Sequence, residues 1–230
     1  MSADKHQAPA TVYQLKVSLH DISPMIWRRL LVTSHTTIAQ LHDILQTAMG
    51  WEDRHLHQFR IYGKAYGISR DGGMRFDDDP YQVTLADFKL RASEHFVYEY
   101  AMGDFWQHDL RIERVLPLDL RQAYPVCTGG AGDCPPEDCG GPSGYRNVLD
   151  ERCSWLELEQ AREDLFLVAQ RLLEFSEGGP RPTEDETEFM DALERMHERL
   201  GAVPSAFSRR AVNAALRMMR KELPCTSGSR

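Results

Sequence analysis

The first part of the chain alternates apolar and polar residues with a period of two, which is the period of a half-buried β-strand. The segments VYQLKVSLH and IWRRLLVT both show this alternation, and Ser23 and Pro24 between them are turn residues. We therefore predict a β-hairpin. Three later segments, HLHQFRIYG, HFVYEYAM and WQHDLRIERVL, alternate in the same way, and the last two flank a turn at Gly103 and Asp104.

One amphipathic helix is predicted between these strands. It begins after Thr36 or Thr37, either of which can cap it, and it stops at Gly50. Its apolar positions at helical spacing are Ile38, Leu41, Leu45 and Met49. The order strand, strand, helix, strand, followed by further antiparallel strands, predicts an α+β fold with a mixed, largely antiparallel sheet and one main packed helix.

The period changes at Ser154, where three helical segments begin: SWLELEQAREDLFLVAQRLLEF, ETEFMDALERMHERLG and PSAFSRRAVNAALRMMRKEL. We predict four regions from this change. They are a disordered leader at 1–10, an α+β core at 11–153, a C-terminal helical appendage at 154–223 and a disordered tail at 224–230.

Composition narrows the class of protein. Hydrophobic residues make up 42% and charged residues 27% of the chain, as in ordinary globular proteins. The sequence lacks both an apolar run near the roughly 20 residues of a membrane span and a signal-peptide pattern at its start, so we expect a cytoplasmic protein. The net charge of −8 argues against nucleic-acid binding by the whole surface and leaves room for a local basic face.

Cysteine usage raises the question of a metal site. The five cysteines are an odd number without a secretory signal, which favours reduced thiols or a metal site over disulfides. Cys127, Cys134 and Cys139 lie in a loop rich in glycine and proline, and such loops can fold thiolates around zinc. The fourth ligand would be His108 if the loop packs back against its strand. The alternative is that these cysteines are small buried residues.

Two histidines and two carboxylates are further candidates. His55 and His57 are separated by one residue on a predicted strand, so both would point to one face. With Glu52 or Asp53 nearby they could bind a metal or move protons, or they could be merely solvated or hydrogen-bonded. In the PPEDCGG segment, Glu137 and Asp138 can accept backbone N–H bonds and act as structural staples.

Two groups of basic residues could form a binding surface for a partner. Arg28 and Arg29 lie in the second strand, and the last helix carries Arg209, Arg210, Arg217, Arg220 and Lys221. Such a helix could meet nucleic acid or an acidic partner, or could form a solvated face. The usual glycine-rich nucleotide loops, the GxSxG nucleophile motif and the HExxH zinc motif are absent from the sequence.

Several segments in order resemble the plasmid pRiA-type ORF-three-like family, whose members are also described as insertion-element passenger proteins of a resolvase type. They are YQLKVSLHDISPMIWRRLLV, TTIAQLHDILQTAMGWEDRHLHQFRIYGKAYG, VTLADF, YEYAMGDFWQHDLRIE and YPVCTGGAGDCPPEDCGGPSGY. The resemblance covers Val12 to Leu149, and AFSRRAVNAALR is similar to the family's closing segment. It implies a compact α+β domain related to the β-grasp arrangement, encoded on plasmids, mobile elements and chromosomes.

The resemblance leaves the reaction open. Ser18 and Ser23 lack the arginine context that a serine recombinase requires, and the helical block 154–200 departs from the short acidic linker expected of the family. This block is therefore a candidate partner surface.

The leading functional hypothesis is a non-catalytic binding module for a protein or nucleic-acid partner, within the accessory machinery of a mobile element. Its sheet face and PPEDCGG loop would present the site. The candidate binding residues are His55, His57, Asp104, Trp106, His108, Glu137 and Asp138. The alternative is a metal-dependent enzyme acting on nucleic acid or a phosphate ester, in which His108 or His57 works with the cysteine loop or Asp104. Both hypotheses require the loop to fold back over the neighbouring strands.

Overall fold

The computed structural model describes residues 11–70, 73–152, 155–183, 186–202 and 207–222. The predicted leader 1–10 and tail 224–230 lie outside these residues. The described strands are β1 (Thr11–Leu19), β2 (Trp27–Thr33), β3 (His57–Ile61), β4 (Lys64–Tyr66), β5 (His95–Tyr100), β6 (Trp106–Pro117) and β7 (Val126–Ala131). The described helices are α1 (Ile38–Met49), α2 (Gly141–Arg152), α3 (Trp155–Ser176), α4 (Thr187–Ala202) and α5 (Arg209–Glu222), with a 3₁₀ turn at Leu85–Phe88.

The seven described strands form one sheet in the order β4-β3-β5-β6-β1-β2-β7. All six strand pairings in the described residues are antiparallel. The predicted α+β class is confirmed, with α1 as the main helix inserted between strands. The β-grasp relationship stays a prediction.

Helix α1 begins and ends where the sequence signals place it. Thr37 is the N-cap and forms a capping box with Gln40, so that two otherwise unpaired backbone N–H groups are satisfied. Gly50 ends the helix with φ of 90°, a left-handed conformation that glycine adopts without strain. The apolar side of α1 is buried, and Arg28 of β2 donates to the Ala48 carbonyl at 3.1 Å.

Strand β7 corrects the prediction of a continuous loop after β6. Residues 126–131 pair with β2 from Trp27 to Leu31, so that Cys127 lies on a strand. The strand was missed because VCTGGA contains two glycines and lacks a clear apolar alternation. It forms because β2 would otherwise expose its backbone groups at the edge of the sheet.

The described residues divide into two compact units, and each is described separately. The first contains the sheet, α1 and α5, and the second lies between Ser143 and Ser205 and contains α3 and α4. This grouping differs from the sequence-based division, which placed α5 within the appendage 154–223. In the first unit, the Asn213 side chain of α5 exchanges two hydrogen bonds of 2.8 Å with the Cys127 backbone. Leu216 is fully buried.

None of the helices in the described part of the chain has the length and apolar character needed to span a bilayer.

Candidate functional site

The connection between β7 and α2, residues 132–140, folds back over the start of β6, and we call it the clasp loop. The indole N–H of Trp51 donates to the Pro135 carbonyl at 2.9 Å. The indole N–H of Trp106 donates to the Glu137 carbonyl at 3.3 Å. The expectation that this loop packs against the neighbouring strands is therefore confirmed.

Asp104 fixes the far end of the clasp loop. Its carboxylate accepts a hydrogen bond of 3.1 Å from the Gly140 backbone N–H. The turn that contains Asp104 also lies against the first residue of α2, because a Cβ atom built on Gly141 would be 2.0 Å from the Asp104 carbonyl oxygen. Asp104 and Trp106 thus act together as the anchor of the loop.

Glu137 links three segments of the chain. Its carboxylate accepts a hydrogen bond of 2.5 Å from the Tyr100 hydroxyl and one of 3.1 Å from the backbone N–H of Glu52. Burial raises the pKa of Tyr100, and the Glu137 carboxylate raises it further. The sequence-based interpretation of Glu137 as a structural staple agrees with this geometry, although the backbone N–H belongs to residue 52 and not to the loop itself.

His55 lies near Asp138, and the two histidines of the HLH segment do not share a strand. The His55 Nε2 atom is 2.9 Å from Asp138 Oδ1, and the imidazole meets the Tyr100 ring edge-on at 5.7 Å. The prediction that His55 and His57 point to one strand face is wrong, because β3 begins at His57. His55 is half-buried, whereas His57 is buried.

His108 lies in the aromatic layer beneath the clasp loop. Its ring meets the Trp51 ring edge-on at 5.2 Å, and Nδ1 is 3.3 Å from the Tyr98 carbonyl oxygen. Burial lowers the pKa of His108 to about 4, so the ring is neutral at physiological pH. Its Nε2 atom has no hydrogen-bond partner among the described residues.

The three thiols are not gathered around His108. Of the described residues, only His42, Asp53 and His57 form a group of three or more His, Cys, Asp or Glu side chains with ligand atoms within 4.8 Å of one another. The Cys127 thiol instead donates to the Gly129 carbonyl at 3.3 Å. Burial raises the pKa of each of the three thiols. The zinc site of Cys127, Cys134, Cys139 and His108 stays a prediction, and this geometry does not support it.

A closed hydrogen-bond network surrounds a histidine that sequence reasoning did not select, His42 of α1. His42 Nε2 is 2.9 Å from Asp53 Oδ1, and Nδ1 is 2.8 Å from the Tyr98 hydroxyl. Gln46 donates to that hydroxyl at 2.8 Å and accepts from the Asp53 backbone N–H at 3.1 Å. Because a carboxylate can only accept, the His42 Nε2–H donates to Asp53, and Nδ1 of this neutral tautomer accepts from the Tyr98 hydroxyl.

His57 lies directly against this network. Its ring stacks on the His42 ring with centroids 3.5 Å apart and planes at 11°. Burial, and after it the neighbouring His42, lower the pKa of His57 to about 3. The stacked pair therefore does not carry two positive charges.

Asp53 connects the network to the surface. Burial alone would raise the pKa of Asp53, but the hydrogen bond from His42 and the charge of Arg70 lower it overall. Arg70 donates to Asp53 Oδ2 at 2.9 Å. Asp53 is therefore ionised, and its other oxygen faces His42.

His42, Gln46 and Tyr98 were missed because the sequence shows them as parts of ordinary elements. His42 and Gln46 lie beside the apolar stripe of α1, at positions that helical spacing buries. Polar residues on the buried side of an amphipathic helix are the signal that could have found them, since buried polar groups require partners.

Comparisons with known proteins find uncharacterised proteins that are similar to this chain. A family model described as plasmid pRiA4b ORF-3-like protein matches residues 11–162. The uncharacterized protein y4hQ of Sinorhizobium fredii is 36% identical over 142 residues, which is 61% of this chain and 73% of that protein. The crystal structure of protein of unknown function MM3350 from Methanosarcina mazei Go1 is similar with a TM-score of 0.57 and 32% identity, over 70% of this chain and 91% of that one.

Proposed function

We infer that this chain, which belongs to the plasmid pRiA4b ORF-3-like protein family, is a non-catalytic protein-binding module whose α3–α4 hairpin binds the same hairpin of a second copy. The observation that carries the proposal is an exposed row of leucines on α3. The family model ends at residue 162, so α4 and most of α3 lie beyond it. The hairpin therefore lies mostly outside the matched region.

Helices α3 and α4 form an antiparallel pair held by charged side chains. Arg171 near the end of α3 binds Glu186 at 2.6 Å, just before α4. Asp164 in the middle of α3 binds Arg195 at 2.7 Å and Arg199 at 2.5 Å. Residues later in α4 thus bind residues earlier in α3, as expected for two antiparallel helices. The Arg195 and Arg199 guanidinium groups lower the pKa of Asp164.

The core of this hairpin is small. Val168, Phe189 and Ala192 are buried together, and Leu167 and Met196 pack partly against them. An independently stable helical bundle normally has three or four helices around its apolar core. Two helices with so few buried apolar residues gain stability when further helices cover them.

The sequence of α3 has the heptad spacing of a coiled coil. Its apolar residues at alternating spacings of three and four are Leu158, Ala161, Leu165, Val168, Leu172 and Phe175. Val168 faces α4, but Leu158, Leu165 and Leu172 are 55%, 57% and 50% exposed. Three leucines at a spacing of seven form one straight row on a helix, and this row has no cover within the described hairpin.

Helix α4 extends the same apolar surface. Leu165 and Leu193 each follow a residue buried between the helices, Asp164 and Ala192. The next residue along an α-helix points about 100° further round the axis. Because α3 and α4 run antiparallel, Leu165 and Leu193 are therefore turned away from the helix contact toward the same side of the pair. The hairpin therefore has one apolar face, which we call the leucine face. The exposed apolar residues on this side are Leu158, Leu165, Leu172 and Leu193.

A second copy of the chain fits the leucine face because the row of leucines is complementary to itself. Under two-fold symmetry each hairpin presents the same row to the other, and the result is a four-helix bundle with two hairpins. Continuous exposed apolar surface of this kind is unusual for a monomer and marks an interaction site.

We expect the double substitution Leu165→Glu with Leu172→Glu to abolish association. Two carboxylates per chain would be buried at the centre of the interface without partners, so the dissociation constant of the dimer should rise by at least about 100-fold. Light scattering coupled to size-exclusion chromatography measures the mass of each form.

Leu120→Glu is the matched control, because Leu120 is 89% exposed and lies on the sheet unit, between β6 and β7. It should leave the mass of the wild type unchanged. Circular dichroism checks that the double variant keeps its helices. A wild-type chain that elutes as a monomer, or a double variant that associates as tightly as the wild type, refutes the proposal.

A second candidate function is binding of single-stranded nucleic acid to the open face of the sheet. The ring of Trp27 on β2 has the Lys16 amine 5.4 Å and the Arg29 guanidinium 5.0 Å from its centre. A groove of about 670 Å³ runs beside it and includes the side chains of Arg111 and Arg114. An aromatic ring flanked by cations is the arrangement on which unpaired bases stack.

We expect Trp27→Ala to weaken binding of a single-stranded oligonucleotide by about 10-fold, since base stacking on an aromatic ring contributes about 1–3 kcal/mol. Arg111→Ala should reduce the salt dependence of binding by about one phosphate contact. Fluorescence anisotropy at several salt concentrations measures both. Arg121→Ala, which removes an exposed arginine outside the groove, is the control. Absence of binding at low salt excludes this function.

A further inference from the structure

We propose that His42, Asp53 and His57 bind a divalent transition-metal ion. One ring nitrogen of each histidine and one carboxylate oxygen all lie within 4.8 Å of one another. Two imidazoles and a carboxylate are a donor set that zinc, cobalt and iron accept. The site lies in the sheet unit and is separate from the leucine face, so the inference does not depend on the proposed self-association.

The distances are close to those of a ligand set. Two donors at about 2.0–2.1 Å from one tetrahedral ion are about 3.3 Å apart. His42 Nε2 and Asp53 Oδ1 are 2.9 Å apart, and a His57 ring nitrogen lies within 4.8 Å of the ligand atoms of both other residues. A rotation of the His57 ring out of the stack, with a shift of its nitrogen of up to about 1.5 Å, would bring the three donors around one ion.

The buried ring of His57 is only weakly hydrogen-bonded, which leaves it able to bind a metal ion. It is 2% exposed, yet its one hydrogen-bond contact among the described residues is a long one, 3.5 Å between Nε2 and the Ile68 backbone N–H. A buried polar ring with so weak a partner is costly unless a further group satisfies it. A metal ion bound to a ring nitrogen of His57 would be such a group.

The surrounding residues hold the ligands in place. The Tyr98 hydroxyl fixes Nδ1 of His42 and is itself held by Gln46, which also binds the backbone of Asp53. An ion on Nε2 requires the His42 proton to be on Nδ1, so the Tyr98 hydroxyl would rotate its own hydrogen away and accept the hydrogen bond from Nδ1. Arg70 occupies Asp53 Oδ2 and leaves Oδ1 for the ion. Such outer partners are a regular feature of metal sites.

The ion can enter from solvent at one side. The Asp53 side chain is 37% exposed and the Arg70 side chain 42% exposed, whereas the His42 side chain is fully buried. A metal held by three protein ligands with one side toward solvent also takes water as a ligand.

The test is Co²⁺ and Zn²⁺ binding to the untagged full chain, measured by titration calorimetry and by metal analysis after dialysis. We expect about one ion per chain, as in a stoichiometric site. Asp53→Asn should lower the affinity at least about 10-fold because it removes the ionic oxygen donor. Asparagine tolerates the left-handed backbone at this position, where φ is 55°. His57→Gln is a second variant that removes a ring donor.

Asp21→Asn is the matched control, because Asp21 also has a left-handed backbone (φ 57°) and lies 3.2 Å from a histidine, His20. It should bind the ions as the wild type does. Failure of the wild type to bind either ion overturns the proposal. An affinity that is unchanged in both Asp53→Asn and His57→Gln also overturns it. So does binding that is lost in Cys134→Ser but kept in Asp53→Asn, because the ion would then be bound by the thiols.

Discussion

Replacing Gly141 with alanine should lower the free energy of unfolding of the sheet unit by about 4 kcal/mol, from backbone strain and overlap together. Gly141 has φ of 67°, which alanine adopts only with strain. The added methyl group would also lie 2.0 Å from the Asp104 carbonyl oxygen, a backbone atom that cannot rotate away. The clasp loop and the β5–β6 turn must therefore separate.

This separation would break the anchor of the clasp loop. The hydrogen bonds from Gly140 to the Asp104 carboxylate and from Trp106 to the Glu137 carbonyl both join the loop to the start of β6. Urea unfolding followed by tryptophan fluorescence measures the change in stability. The fluorescence of folded protein should also change, because Trp106 is fully buried beneath the loop.

Gly103→Ala is the matched control. Gly103 precedes Asp104 in the turn that Gly141 contacts. A Cβ atom built on Gly103 meets no atom within 4 Å, and its backbone is not in the left-handed region. The substitution should change the free energy of unfolding by less than about 1 kcal/mol. If Gly141→Ala is as harmless as Gly103→Ala, the clasp loop does not lie against the Asp104 turn.

Replacing Arg28 with methionine should lower the free energy of unfolding by about 3 kcal/mol, because buried acceptors lose a charged donor. Arg28 is 3% exposed and donates to the carbonyls of Trp27, Ala48, Ala131 and Gly132. Its guanidinium also lies 4.6 Å from the centre of the Phe207 ring. One side chain thus joins the end of α1, β2 and the end of β7.

Arg29→Met is the control for Arg28→Met, since the two arginines are neighbours on opposite faces of β2. Arg29 is about one-third exposed and binds Glu113 at 2.6 Å. This bidentate pair is partly exposed to solvent, so its loss should cost less than the loss of the four carbonyl contacts of buried Arg28. Chemical denaturation of both variants gives the comparison. Equal losses at the two positions would contradict the role assigned to Arg28.

Arg28 and Arg29 show that the sequence alone does not reveal which face of a strand is buried. Alternation in IWRRLLVT predicts β2 and predicts that the two arginines face opposite sides, but it does not say which side is covered. That depends on the position of α1, which is set by contacts between residues far apart in sequence. Arg28 was therefore grouped with candidate basic surface residues, although it is buried.

The alternation of apolar and polar residues predicts most strands of the sheet, and the helical spacing of apolar residues predicts α1. Trp106 is one of the candidate binding residues named from the sequence, and its indole donates to the clasp loop; a binding role for it stays a prediction. Strand β7 was not predicted, since its residues have little strand preference and its pairing is imposed by β2. The group of His42, Asp53 and His57 was only partly predicted, because its members come from three separate elements.

The most direct test of the central claim, that a second copy covers the leucine face, is sedimentation equilibrium of the untagged wild-type chain across micromolar concentrations. The account predicts a species of twice the chain mass of 26.3 kDa. This species should dissociate on dilution and be absent in the Leu165→Glu, Leu172→Glu variant. A mass of 26.3 kDa at every concentration would contradict it.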